Sequence, residues 1–398
     1  MYKRQDGATG NYPSDETTEE DGFYDFALPM NNNYGVIPNR NDNPWNGIST
    51  MDLILMSRHI LGVELLDSPY RMIAADINNS GTITAFDMVE LRKLILLIYT
   101  EFPENPSWKF IDAQYVFEDP TNPFESTFPT EYNINGLSAN EVIDFVGVKM
   151  GDLNNSAIPN QLLSGDTRTE VDDLNFKIND QQMEAGKEYH IDFSAKDFTE
   201  ILGYQFTLGI NQELVEFIDI EAGELSGMTM DNFGFTKIDE GIITTSWNSR
   251  IATNLPDNAV VFTLKVKAKS AVKFSDFLSI DSRYVEAEAY TEGMELMNVK
   301  MLFGNEISTQ VEHSFALYQN QPNPFKKETV IGFTLPESTN ASLTIYDISG
   351  RVLKRIERAY QRGYNEEVVS RSELGTAGLL YYRLETAKDQ AILKMILD

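Results

Sequence analysis

Asp76 to Asp87 read DINNSGTITAFD. Oxygen-bearing side chains stand at Asp76, Asn78, Ser80, Thr82, Thr84 and Asp87, which are positions 1, 3, 5, 7, 9 and 12 of the run, and Gly81 fills position 6. Alternate side chains at the first three of these positions converge on one point. A glycine at the sixth permits a sharp turn, the seventh offers its carbonyl, and the twelfth closes the shell from the first turn of a helix. Hard oxygens without sulfur or nitrogen suit Ca²⁺, which takes roughly six to eight of them at flexible geometry. Ile83, between them, is expected to point into a core. Each fragment alone has a plainer reading: Thr84-x-x-Asp87 is a helix capping box, and Asn-Asn-Ser-Gly an ordinary turn. Six matching positions in phase with a helix start favour the calcium loop.

The front half of this pattern recurs as DLNNS, Asp152 to Ser156, and the back half as NGISTMD, Asn46 to Asp52, about a hundred residues earlier. The expectation is that the chain folds back and joins them into a second, split calcium site. Asp152, Asn154 and Ser156 would supply the front, a carbonyl near Gly47 or Ile48 the middle, and Asp52 the closing carboxylate. The hydrophobic run VIDFVGVKM, 142–150, would be the strand or turn that brings Asp152 there. The alternative is that DLNNS is a polar linker turn. With two obvious carboxylates per site, affinity is expected at about 10⁻⁵ to 10⁻³ M, as in extracellular modules.

Helices must position these loops. STMDLILMSRHILG places apolar residues at 51, 53–56, 60 and 61 and stops at Gly62, a good terminator. TAFDMVELRKLILLIY repeats the pattern, with Asp87 standing 35 residues after Asp52, so the two segments form an internal duplication. Between 100 and 140 the chain is rich in Pro and Asn and reads as an ordered surface loop. From 165 to 303 the pattern changes to short alternating runs bounded by Gly, Asn, Asp or Pro, which predict an all-β sandwich. Residues 311–398 alternate again, with Ser349-Gly350 as a hairpin turn.

Composition bounds the function. The chain of 398 residues carries 32 basic and 61 acidic side chains, a net charge of −29. Nucleic acid and anionic membrane need clustered Lys and Arg, so neither is expected as a partner. With no cysteine there is no disulfide framework, thiolate metal site or Cys nucleophile. No apolar run is long enough to span a membrane. Residues 311–398 hold 11 basic and 11 acidic side chains, so the whole acidic excess lies upstream, and this shift marks a separate domain.

The duplicated helical region, 43–160, resembles a dockerin, a pair of F-hand units in which such a loop precedes one helix and ends in Asp. DINNSGTITAFDMVELRKLIL matches along its length. The first repeat departs from the pattern, since Asn41, Asn43 and Trp45 fall where ligands should sit, and the 100–140 insertion is foreign to short dockerins. Residues 165–305 resemble a cohesin-like β-sandwich through EAGKEYHIDFSAKDFTEILGYQFTLGINQELVEFIDIEAG and DEGIITTSWNS. Residues 311–398 resemble the C-terminal sorting domain of type IX secretion substrates in Bacteroidota: LYQNQPNPF opens it, IYDISGRVL makes its hairpin, and GLLYYRLET with AILKMILD closes it. DGFYDF and YGVIPN, within 6–42, resemble the last strands of a truncated surface β-sandwich, with Phe23, Tyr24 and Phe26 entering a strand. MYKRQ, residues 1–5, reads as a translated sequencing adapter. On that reading the true N-terminus lies upstream, and any signal peptide is lost with it.

The fold expected is therefore multidomain and mainly β, with β-sandwiches and one small α-helical dockerin-like calcium-binding module. The patterns G-x-S-x-G, H-E-x-x-H, G-x-x-x-x-G-K and G-x-G-x-x-G are absent from the sequence, and no enzyme is expected. His59, His190 and His313 fall in separate regions, and Trp247 reads as core rather than as a sugar platform. The function expected is a non-catalytic, calcium-stabilised part of an exported cell-surface or secreted adhesin or scaffold-like protein. The alternative is the accessory end of a secreted polysaccharide hydrolase whose catalytic domain lies upstream. Expected partners are the type IX secretion machinery, a possible cohesin–dockerin-type protein contact and a possible carbohydrate. Because the first repeat is degenerate, the dockerin-like and cohesin-like units are expected to stand in series rather than to dock.

Overall fold

Residues 2–5, 15–16, 18, 22–158, 173–304, 307–308 and 315–397, apart from 321, 337, 361–362 and 376–377, are described by the computed structural model. His313 and the 159–172 connection lie outside them.

The duplicated pattern forms helices α1, Thr50–Ile60, and α3, Ala85–Ile95. Each starts on a hydroxyl N-cap with an acidic residue three positions later, which is the reciprocal capping box: Ser49 with Asp52 and Thr84 with Asp87. A seven-residue helix, α2, Pro69–Ala75, lies between them. It is too short to show a helical period in the sequence, and Pro69 at its first turn is its one legible signal. Leu53, Met56, Ile73, Leu91, Leu94, Met150 and Leu153 form the core of this module.

The 100–140 segment is more than the expected surface loop. Trp108–Asp112 pairs antiparallel with Phe145–Lys149, matching Trp108 to Lys149 and Lys109 to Val148. Tyr132–Ile134 pairs with Tyr34–Pro38, which also pairs with Tyr2–Gln5. Phe23, Tyr24 and Phe26, read from the sequence as strand, lie outside regular structure. Of these, Tyr24 donates its hydroxyl to the Ile143 carbonyl.

The sandwich is one wound sheet whose order along the ladder is 215–222, 260–268, 188–196, 173–178, 296–303, 288–291, 201–210 and 242–253. Asp173–Ile178 runs parallel to Leu296–Phe303, and every other pairing along this path is antiparallel. Its interior is aromatic. Phe193 stacks on Phe262 with ring centroids 4.3 Å apart, and Tyr204 stacks on Trp247 at 5.8 Å. Trp247 is buried and donates its indole N–H to the Ser226 carbonyl at 3.1 Å, so it packs the core, as aromatic side chains with one polar edge do.

In the C-terminal unit a three-stranded sheet faces one ordered Val352–Tyr360, Thr339–Asp347, Gly378–Glu385, Gln390–Leu397. The first and last sorting-type motifs meet in its interior. The Tyr382 hydroxyl donates to the Tyr318 carbonyl at 2.8 Å and accepts from the Asn320 N–H at 2.9 Å. Asn320, itself buried, spends its amide on Thr329 Oγ1 at 2.9 Å. Gly350 turns the hairpin at φ +84°, a conformation that favours glycine.

Candidate functional site

Both loops fold the same way, although one is continuous and the other is built from two distant segments. In the continuous loop Asp76 Oδ1 accepts from Ser80 N at 2.8 Å and Asp76 Oδ2 from Gly81 N at 2.9 Å. In the split loop Asp152 Oδ1 accepts from Ser156 N at 3.1 Å and Asp152 Oδ2 from Ala157 N at 2.9 Å. Asn78 Oδ1 accepts from Ser80 N at 3.1 Å, and Asn154 Oδ1 from Ser156 N at 3.0 Å. The central residues Asn79 and Asn155 both take left-handed backbone, φ +55° and +59°, which Asn tolerates better than most residues. Position 2 is buried in each case, by Ile77 and Leu153.

The back halves correspond as well. Asp87 Oδ2 accepts from Thr84 N and Asp52 Oδ2 from Ser49 N, both at 2.8 Å. The other oxygen of each carboxylate reaches the front half, one residue apart in the two loops: Asp87 Oδ1 accepts from Asn78 N, at position 3, at 3.1 Å, and Asp52 Oδ1 from Leu153 N, at position 2, at 2.7 Å. Ser80 Oγ donates to the Thr82 carbonyl and Ser156 Oγ to the Gly47 carbonyl, each at 3.2 Å. Gly47, rather than Ile48, therefore presents the middle carbonyl. The Asn46 side chain fastens the two segments, donating to Ile158 O at 2.8 Å and accepting from Ile158 N at 3.0 Å. DLNNS is thus joined to NGISTMD and is not a free linker turn.

The capping box and the loop use the same residues. Thr84 donates its hydroxyl to Asp87 Oδ2 at 3.1 Å and accepts from Phe86 N at 3.2 Å, so its side chain serves the helix cap, as Ser49 does on α1.

Asp52, Asp76, Asp87 and Asp152 are all buried. Burial, together with the neighbouring Asp152 charge, pushes the Asp52 carboxyl up to about 8, and burial also raises Asp152. Two carboxylates in so little water call for a compensating cation. Among the described residues no three Asp, Glu or His side chains come together, so each loop offers two carboxylates, with the rest of its oxygens neutral. Ser80 Oγ lies 3.5 Å from Asp76 Oδ1, 3.2 Å from the Thr82 carbonyl and 3.0 Å from Thr82 Oγ1. Oxygens sharing one calcium at about 2.4 Å stand about this far apart, so the donor set fits that ion.

A second set of residues, undetected in the sequence, joins the helical module to the sandwich. Thr50 N donates to Gln205 Oε1 at 2.6 Å, and Thr50 Oγ1 lies 2.6 Å from Ser246 Oγ. Thr244 Oγ1 donates to the Leu96 carbonyl at 2.8 Å, and Arg92 donates to Asn248 Oδ1. Ile54 packs with Leu202 and Tyr290, flanked by Met51, Ala252, Met294 and Leu296. Every residue of Ile201–Ile210 is buried because one face lines the sandwich core and the other lies under the helices. The expectation that the two units stand in series is therefore overturned. The direct bonds are made by the start of α1 and the end of α3. Of the departures, Asn41 accepts from Ser107 N, and Asn43 and Trp45 line a cavity shared with Gln205 and Tyr290 of the sandwich. Gln205, Thr244, Ser246 and Asn248 had only the sequence signature of strand residues facing water.

The other two tryptophans are engaged within the protein. Trp45 donates its indole N–H to the Leu94 carbonyl at 3.1 Å, and Trp108 is buried with Arg40 5.0 Å above its ring. His59 accepts at Nδ1 from Leu66 N at 3.0 Å, so it braces the turn after α1.

No curated protein matches the chain. Solved cohesin structures are among those that resemble the chain. One is a chain of a type I cohesin–dockerin complex from Clostridium thermocellum, 15% identical, covering 33% of this chain and 95% of that one with a TM-score of 0.26. Another is the sixth cohesin of scaffoldin B from Acetivibrio cellulolyticus in complex with a Cel5 dockerin, 16% identical over 33% of this chain and 99% of that one, TM-score 0.27. A third is a type I cohesin from Pseudobacteroides cellulosolvens, 18% identical over 35% and 96%, TM-score 0.25. Residues 46–96 match the model of the dockerin type I domain, a class that is generally calcium-binding; the match holds the continuous loop whole and the back half of the split one. Residues 320–398 match the secretion system C-terminal sorting domain. These modules are non-catalytic. The chain thus carries a dockerin type I domain and a type IX secretion sorting domain, and the latter makes it a secreted or cell-surface protein.

Proposed function

We propose that this chain is a non-catalytic, calcium-stabilised part of an exported adhesin or scaffold-like surface protein, in which the dockerin-type module binds two calcium ions and docks on the cohesin-like sandwich of its own chain. The observation that carries the reading is the matching hydrogen-bond pattern of the two loops, one local and one assembled across a hundred residues.

Asp76, Asn78, Ser80, the Thr82 carbonyl and Asp87 would hold one ion. Asp152, Asn154, Ser156, the Gly47 carbonyl and Asp52 would hold the other. Calcium, when bound, supplies the positive charge that these buried carboxylates lack. The residues themselves do the positioning: Asp87 and Asp52 each cap a helix with one oxygen and pin the front half of their loop with the other. Closing the split loop fixes Ser49 and Asp52 on either side of Thr50, whose N–H meets Gln205. Order at the second site is thereby passed to the docked face. The resulting rigid pair would space whatever it presents from the cell surface, and a foreign partner for the α1 face would have to compete with the sandwich at high effective concentration.

Calorimetric titration of the full chain tests this. Two calcium ions are expected. Asp152→Ala and Asp52→Ala should each lose the same ion, and Asp76→Ala the other. A chain that keeps both ions after Asp152→Ala would refute the split site.

A further inference from the structure

The ribbon that the insertion forms with the 145–149 strand places a lysine against each loop. On the two-stranded ribbon, Trp108–Asp112 with Phe145–Lys149, the side chains of Lys109 and Lys149 go to different loops. Lys109 donates from Nζ to Asn79 Oδ1 at 2.8 Å, Asn79 being the left-handed residue between the side chains of the continuous loop. Lys149 is buried. Its Nζ donates to the Pro44 carbonyl at 2.7 Å and the Met150 carbonyl at 3.1 Å, 5.7 Å from the centre of the Phe102 ring. Its own carbonyl accepts from Asp152 N at 3.3 Å. Lys149 thus spans the split, with its backbone on the front half and its ammonium at the entry to the back half. Neighbouring ribbon residues add neutral bonds. Asn105 donates to the Asp76 and Ile77 carbonyls at 2.8 and 2.7 Å, and Ser107 donates from its N–H to Asn41 Oδ1 at 2.7 Å and from its hydroxyl to the Asp42 carbonyl at 2.9 Å.

A buried ammonium that makes only carbonyl bonds is costly. It is expected where it offsets another buried charge, and the charges acting on Lys149 are those of Asp152, Asp52, Asp42 and Arg40, while Asp76 acts on Lys109. We propose that Lys109 and Lys149 are internal counter-cations of the two loops: each supports its loop without a metal, and each weakens calcium binding there by repelling the ion. The module would then stay assembled when calcium is scarce and exchange calcium at higher concentrations than the bare loops would. This rests on the calcium reading above.

The test uses the full chain with Lys149→Met, Lys149→Arg and Lys109→Gln. Thermal unfolding is measured in chelator and in calcium, and calcium affinity by calorimetry at low salt, where Coulomb effects are least screened. Lys149→Met should lower the midpoint in chelator and bind at the split site about three- to tenfold tighter, as expected for removing a nearby like charge. Lys149→Arg, which keeps the charge, should stay near the parent in both. Lys109→Gln, at a half-buried position that tolerates the change, should tighten the continuous site alone. Affinity that is unchanged or weaker in Lys149→Met and Lys109→Gln, in a parent that binds calcium, ends this inference and leaves the calcium reading standing. A parent that takes up no calcium in equilibrium dialysis ends the calcium reading. The chelator arm then decides the rest: if Lys149→Met is not destabilised, or Lys149→Arg fails to restore it, the counter-cation role falls too.

Discussion

Ser156 Oγ donates to the Gly47 carbonyl at 3.2 Å across 109 residues of sequence, the same contact at the same distance that Ser80 Oγ makes with the Thr82 carbonyl two residues away. A local turn has been reproduced by a long-range closure. What holds the halves together is therefore tertiary: Asn46 on Ile158, Leu153 in the helical core, and Gly47 against Ala157.

Gly47 is expected to be irreplaceable. It sits at φ +72°, and a Cβ there would lie 2.5 Å from both Ala157 N and Cα. Backbone strain and overlap add, so Gly47→Ala should cost about 2–3 kcal/mol. Denaturant unfolding should show that loss, and calorimetry should show the split site weakened with the continuous site kept.

Docking should depend on Gly234. A Cβ at this position would overlap the Leu96 carbonyl of the helical module and Thr244 Oγ1, the two groups that bond across the interface. Gly234→Val is expected to separate the module from the sandwich. Hydrogen exchange should then rise at the outward backbone of 201–210 and 242–248. Protection equal to the parent would count against the interface.

Trp247→Ala should behave as a core deletion. With Trp247 1% exposed and stacked on Tyr204, the loss is expected at about 3–5 kcal/mol. The check is a fall in the unfolding midpoint of the chain.

His59 gives a signed pH effect. Burial lowers its pKa from the usual 6.5, so the unfolded chain takes up the proton first as pH falls. Its contribution is complete above about pH 6.5 and declines below it. Stability measured from pH 8 to pH 5 should fall more in the parent than in His59→Gln, the gap opening only on the acid side. A parallel pair of curves would show that His59 does not titrate with folding.

Export should travel with the C-terminal unit. Residues 306–398 fused to a periplasmic reporter should carry it across the outer membrane in a bacterium with type IX machinery, and removal of 311–398 should leave the remainder folded in the periplasm. Cell fractionation with protease accessibility reads both outcomes.

Local chemistry was legible in the sequence. DINNSGTITAFD specified its own loop because every group in it lies within twelve residues, so turn, cap and oxygens are set by spacing. The same holds for α1 and α3, whose apolar period and capping boxes are local, and for the alternating strands of the sandwich. LYQNQPNPF and GLLYYRLET could be read as motifs, although the reason they belong together, Tyr382 bonded to Tyr318 and Asn320, is spatial. Only the tertiary structure decided that the 100–140 excursion carries a strand, since Trp108–Asp112 is stabilised by its partner Phe145–Lys149 rather than by a pattern of its own. It also decided the docking. Gln205, Thr244, Ser246 and Asn248 occupy the polar face of two strands, and a face turned to water and a face turned to another domain's hydroxyls and carbonyls have the same alternation. Lys149 looks like a surface charge in sequence, and it is buried because the ribbon closes over the joint between Pro44 and Asp152.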